Sequence, residues 1–185
     1  MKIVRIERLI EAGEFPSSSA CQDLLKEIQE AIRAVQWPLG SGSFTLFDQS
    51  GKKRGEGNGV KPIKGECMKF LKSRGWQLEA PFKVPEPWKF GSFDASHPVG
   101  NKQFCLEWET GNISSSHRAM NKMALGILRG VLIGGALILP TRQMYKYLTD
   151  RVGNIAELEP YFKLWASLPI ENGLLAVMAI EHDSV

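Results

Sequence analysis

Cysteine is scarce: the 185 residues contain three, Cys21, Cys67 and Cys105, far apart and never in a CxxC pair. That excludes a disulfide framework and a thiolate zinc site, and fits a reducing cytoplasm. Histidine is as sparse. His97, His117 and His182 are scattered, make no nucleophile–base pair with serine or cysteine, and are read as surface or helix-start residues. An apolar run of membrane-spanning length is also lacking. The stretch Met123–Pro140 is interrupted by Arg129 and several glycines and falls short of the ~20 residues a spanning helix needs. It reads as a helix end, a turn and a buried strand. Lys2, Arg5, Glu7, Arg8 and Glu11 break up the opening residues, so no signal peptide is expected.

What is present is ordinary globular composition, 43% hydrophobic and 23% charged, in a chain long enough to bury a core. With no internal repeat and no long linker, one domain over 1–185 is expected. The net charge of +3 is modest, but its distribution is not. Residues 51–90 carry ten Lys or Arg against four Asp or Glu, and residues 150–185 carry two against six. One flank can therefore face phosphate while the other faces solvent or a partner.

Met1–Ala12 gives mixed helix and strand signals. Serines 17–19 offer N-caps for a helix in which Leu24, Leu25, Ile28, Ala31, Ile32 and Val35 form one apolar stripe, ending before Trp37-Pro38. A strand Ser43–Phe47 follows, then the basic, glycine-rich SGKKRGEGNG loop. A helix opened by Pro62 runs to about Arg74, with Cys67, Met68, Phe70 and Leu71 as its buried residues. Residues 80–91 read as an extended segment leading to Asp94. Next come strand Gln103–Glu109, a turn, helix His117–Leu128, strand Leu132–Leu139, helices Thr141–Val152 and Ile155–Ser167, and strand Gly173–Ile180. The alternation implies an α/β fold, a central mixed sheet flanked by helices.

In Phe104-Cys105-Leu106-Glu107-Trp108-Glu109 the two-residue repeat sends Leu106 and Trp108 to one face and Glu107 and Glu109 to the other. The two carboxylates stand about 7 Å apart by strand rise, an arrangement that calls for a cation. Asp94, thirteen residues upstream of Glu107, can join them through a hairpin. An all-oxygen set without histidine or thiolate suits Mg²⁺. Such an ion would acidify an attacking water, neutralise a scissile phosphate and stabilise the leaving 3′ oxygen.

GSFD, CLEWETGNISSSHRAMNKMALG and ILPTRQMYKYLTDRVGNIAELEPYF, with NGVKPIKGEC and QWPLGSGSFT upstream, closely resemble the BamHI-type type II restriction endonucleases over about residues 36–163. The resemblance implies the PD-(D/E)xK restriction-endonuclease core, with Glu109 where most members carry lysine. It implies metal ligation by Asp94, Glu107 and the Trp108 carbonyl, with Glu109 orienting or deprotonating the water. Lys64 would lie near DNA and metal, and Asn112, Ser114, Arg118, Asp150 and Arg151 would read the major groove, roles their chemistry allows. Taken singly, the serines could cap a helix, Asn112 could close a turn and Arg151 could neutralise a helix end. The implied substrate is double-stranded DNA at the palindrome GGATCC, cut after the first G to leave four-base 5′ overhangs with 5′-phosphates. Mg²⁺ is the implied cofactor, Mn²⁺ a substitute, and Ca²⁺ an ion that supports binding without cleavage. The implied partners are a second copy in a homodimer and a companion DNA methyltransferase in the same cell, with no membrane.

Two departures stand out. Leu128, Arg129, Lys163 and Ala166 occupy positions where the family forms interprotomer charge pairs, so a more apolar contact through Leu128, Val131 and Trp165 is expected. The sequence also stops at Val185, short of the family's minor-groove tail, from which looser sequence discrimination is expected. The rival readings are a structure-specific nuclease, a non-catalytic DNA-binding regulator and a glycoside hydrolase. Three carboxylates near phosphate weigh against the regulator, and a same-strand acid pair cannot straddle a glycosidic bond.

Overall fold

The computed structural model describes residues 1–46, 60–82, 90–148 and 152–184. Asp150 and Arg151, the basic loop and residues 83–89 therefore lie outside the described residues. In chain order the elements are β1 (Lys2–Ala12), α1 (Ser19–Arg33), α2 (Val60–Ser73), β2 (Gln77–Pro81), β3 (Ser92–Val99), β4 (Lys102–Trp108), α3 (Ile113–Leu128), β5 (Leu132–Pro140), α4 (Arg142–Tyr145), α5 (Ile155–Leu158), α6 (Phe162–Ala166) and β6 (Gly173–Glu181).

The strands form one sheet in the order β1-β6-β5-β4-β3-β2. Pairing is parallel for β4/β5 and β5/β6 and antiparallel for β1/β6, β2/β3 and β3/β4. The near-continuous apolar runs of β5 and β6 follow from this placement, since central parallel strands are covered on both faces. Alternate residues serve two cores. Phe104, Leu106, Trp108, Ala136, Ile138, Ala176 and Met178 pack with α1 and α2. Cys105, Leu137, Leu139, Leu175 and Val177 pack with α3, α5 and α6.

The two glycines inside β5 are explained by close approach on opposite faces. A Cβ on Gly134 would come within 2.8 Å of the Phe104 ring, and one on Gly135 within 2.5 Å of Met123 Sδ. The face preferred by α1 is the stripe expected from its sequence, and Ser18 caps it by accepting from the Cys21 amide at 3.2 Å.

Several elements differ from expectation. Met1–Ala12 resolves into an edge strand. Of the expected strand Ser43–Phe47, the described residues 43–46 supply only isolated bridges at Phe44 and Thr45, to Trp37 and Ser184, and Phe47 lies outside the described residues. In α2, Cys67, Met68 and Leu71 are buried but Phe70 is only partly so. The expected Thr141–Val152 helix regularises as four residues followed by turns, with 149–151 outside the described residues. Ile155–Ser167 is broken by a 3-10 turn at Glu159–Tyr161, where Pro160 lacks the amide an α-helix would need. The helix expected from His117 begins four residues earlier, at Ile113. Among the described residues no helix is long and apolar enough to cross a membrane.

Candidate active site

The β3–β4 hairpin pairs Ala95 with Leu106, and the next pair outward sets Asp94 beside Glu107. The two carboxylates bond across the strands: Asp94 Oδ2 accepts from the Trp108 amide at 2.8 Å, and Glu107 Oε2 accepts from the Asp94 amide at 3.3 Å. Each outer oxygen meets an ammonium, Asp94 Oδ1 that of Lys64 from α2 and Glu107 Oε1 that of Lys122 from α3. The backbone thus fixes one oxygen of each acid, and a lysine ammonium meets the other.

Glu109 stands one residue past the end of β4, with its amide still donating to the Ile138 carbonyl at 2.8 Å. The alternation expected for the strand therefore continues to it. Its carboxyl lies over Gly111, where a Cβ would come within 3.3 Å of Glu109 Oε2. Glycine is what lets the acid sit against the first turn of α3. Burial, then the charges of Glu107 and Asp94, raise its pKa to about 7, against the pull of Arg118 and Lys64. Burial also raises Glu107, opposed chiefly by its bond to Lys122.

Asn112 is the N-cap of α3, accepting from the Ser115 amide at 3.2 Å. Its side chain, Ser114 and Arg118 are exposed. Ser114 and Arg118 line a groove of about 500 Å³ that continues along α3 past His117 and Asn121 to Lys122, with Phe90 and Leu125 on its walls. The Gly153 amide donates to the Gly111 carbonyl at 2.7 Å, and a Cβ on Gly153 would meet the Ile113 backbone at 2.9 Å. The residues immediately after Asp150-Arg151 are thereby anchored at the start of α3.

Lys122 is the residue that sequence reasoning missed. It stands on the face of α3 that also carries Ser114 and Arg118, spaced eight and four residues before it. The histidines also do more than was expected of them. His97 packs 5.5 Å from Trp76, His117 lies edge-on to Tyr161 at 4.5 Å, and His182 lies 5.1 Å from Tyr147.

Of the residues expected at an intermolecular face, Leu128 is 46% exposed but Trp165 is 2% exposed. Trp165 belongs to the protomer's own core, with its indole N–H donating to Asn121 at 2.9 Å. Tyr161 and Leu164, 46% and 61% exposed, are the apolar side chains that α6 and its approach present instead.

Among the described residues no three His, Cys, Asp or Glu side chains stand at metal-ligating spacing. What the structure brings together is the Asp94–Glu107 pair, with Glu109 coupled to it through charge. Two hard carboxylates side by side suit a hard divalent ion. That the chain surrounds them with two lysine ammoniums shows the positive charge this spot requires.

The family comparisons, on a fold of this kind, place the protein among the restriction endonucleases. Its fold matches a crystal structure of restriction endonuclease BglII complexed with a DNA 16-mer (TM-score 0.63, 13% identity, covering 99% of this chain and 79% of that one). The family model for restriction endonuclease BamHI matches residues 1–185, and the chain belongs to that family. It is 52% identical over 185 residues to the type II restriction enzyme OkrAI of Oceanobacter kriegii, covering all of this chain and 91% of that protein. It is 37% identical over 155 residues to the type II restriction enzyme BamHI of Bacillus amyloliquefaciens, covering 80% and 71% respectively. The protein is a type II site-specific deoxyribonuclease that binds DNA and works with a divalent metal.

Proposed function

We propose that this single-domain enzyme cuts both strands of the palindrome GGATCC after the first G, leaving four-base 5′ overhangs with 5′-phosphates. The observation that carries the reading is the reciprocal backbone bonding of Asp94 and Glu107, which fixes two acids side by side with Glu109 next along the chain. Asp94, Glu107 and the Trp108 carbonyl would hold Mg²⁺, with Mn²⁺ able to replace it. When bound there, such an ion would supply Lewis acidity to an attacking water and positive charge to the scissile phosphate and the leaving 3′ oxygen. Glu109, with a pKa near 7, is suited to orient that water and take its proton. Lys64 exchanges Asp94 for the phosphate.

Base reading falls to Asn112, Ser114 and Arg118 on the exposed start of α3, together with Asp150 and Arg151. Arg can grip guanine O6 and N7, Asn can pair with adenine, and Asp can accept from cytosine N4. A palindrome calls for a twofold assembly with one site per strand, and we assign the homodimer contact to Leu128, Tyr161 and Leu164. A cytoplasmic enzyme of this kind needs a companion methyltransferase to shield host DNA.

The test is to digest plasmid DNA with Mg²⁺ and sequence the cut ends, then repeat with Glu109→Ala and with Ca²⁺ in place of Mg²⁺. Ends within GGATCC are expected. The variant and the Ca²⁺ reaction should bind DNA without cutting. Ends scattered over unrelated sequences would remove the assignment of specificity, and full activity of Glu109→Ala would remove Glu109 from the mechanism.

A further inference from the structure

Lys122 carries a charge where charge is costly. Its side chain is 6% exposed, and a buried ammonium is tolerated only when fixed partners replace its water. Three do so. Glu107 Oε1 pairs with it, the Ser92 carbonyl accepts from it at 2.8 Å, and the Phe93 ring centroid lies 4.1 Å beneath it. Ser92 and Phe93 immediately precede Asp94 on β3, Glu107 lies on β4 and Lys122 on α3. One ammonium therefore ties together the three elements that build the acid pair. Lys64 is held differently, reaching Asp94 from α2 with a side chain 24% exposed and open to exchange for phosphate.

Taking Asp94 and Glu107 as the cation-binding pair, we propose that Lys122 is a positioning residue for cleavage. It clamps Glu107 Oε1 so that Oε2 stays beside the Asp94 amide, and it remains in place through turnover while Lys64 departs. The clamp has two opposed effects. It orients the ligand, which speeds the reaction, and its charge repels an incoming divalent ion, which weakens binding of that ion. A residue that merely supported the fold would move both quantities together.

The experiment compares Lys122→Met, which keeps an apolar stem over Phe93, and Lys122→Gln, which keeps a neutral donor to Glu107, with the parent. Each is checked by its thermal melt. Two readouts follow: the cleavage rate at saturating Mg²⁺, and Ca²⁺ affinity of the protein–DNA complex by titration calorimetry. For Lys122→Met the expected result is a rate at least 100-fold lower with Ca²⁺ bound several-fold more tightly. Lys122→Gln should keep the tighter binding and recover at least tenfold of the lost rate. If the methionine variant loses its cooperative melt, the glutamine variant alone decides, by slower cleavage with tighter Ca²⁺ binding. Cleavage within threefold of the parent, or rate and Ca²⁺ affinity falling in parallel, would overturn the proposal. Asp94→Asn is the control: if it cleaves and binds Ca²⁺ normally, the cation-binding reading itself fails, whatever Lys122 does.

Discussion

Glu109 should be a residue that the metal-free enzyme would be more stable without. Its pKa stands at about 7 against an ordinary value of 4.5, chiefly because it is buried and secondly because Glu107 and Asp94 are near. An acid whose pKa is raised by folding binds more protons in the folded than in the unfolded chain, so stability falls as pH rises from about 4.5 to about 7. Above that window the ionised carboxylate is a net cost. A shift of this size corresponds to about 3 kcal/mol, and solvent screening of a half-buried group reduces it to about 1–2 kcal/mol. Glu109→Gln removes the ionisation and keeps the shape. Urea unfolding of both proteins in EDTA at pH 5 and pH 8.5 cancels any effect of the substitution that does not depend on charge. The variant is expected to gain about 1–2 kcal/mol on the parent between the two pH values. No gain, or a loss, would refute the placing of this carboxyl in a desolvated site beside two other acids.

Two further predictions separate structural from functional roles. Gly134→Ala should destabilise the fold by about 1–3 kcal/mol in guanidinium unfolding, because the new methyl meets both the Phe104 ring at 2.8 Å and the Leu174 carbonyl oxygen at 2.9 Å. A neutral result would mean that β5 and β6 can move apart at little cost. Asn112→Asp should keep the helix cap, with a change in stability of a few tenths of a kcal/mol. It should nonetheless weaken target binding at least tenfold in a gel-shift titration, because it loses an amide donor and adds a negative charge. Unchanged binding would reduce Asn112 to a cap.

Most of the acid site was legible because it obeys the short repeat of a strand. Glu107 and Glu109 share a face by parity alone, and the hairpin that brings in Asp94 needs only the tight turn at Gly100-Asn101. The apolar runs of β5 and β6 likewise announce strands covered on both sides. Lys122 was hidden because its burial depends on Ser92 and Phe93, 30 and 29 residues away in sequence, and a lysine on a helix otherwise reads as solvated. Trp165 misled for a related reason. Nothing local distinguishes an indole that fills its own protomer's core from one offered to a partner, whereas Tyr161 and Leu164 beside it are the exposed ones. The start of α3 was placed late because Asn112 looked like a turn residue, and an N-cap is both. The break at Pro160 was visible in the sequence, since a proline without its amide ends a helix that apolar spacing alone would continue.

The claim on which the account rests is that Asp94 and Glu107 together hold the divalent ion used for cleavage. Crystals of the Glu109→Ala variant with a GGATCC duplex, soaked in Mn²⁺ and measured at the manganese absorption edge, test it directly. An anomalous peak is expected within ligating distance of both carboxylates and of the Trp108 carbonyl. A well-occupied peak elsewhere along the DNA, with the two acids still paired only to Lys64 and Lys122, would contradict it.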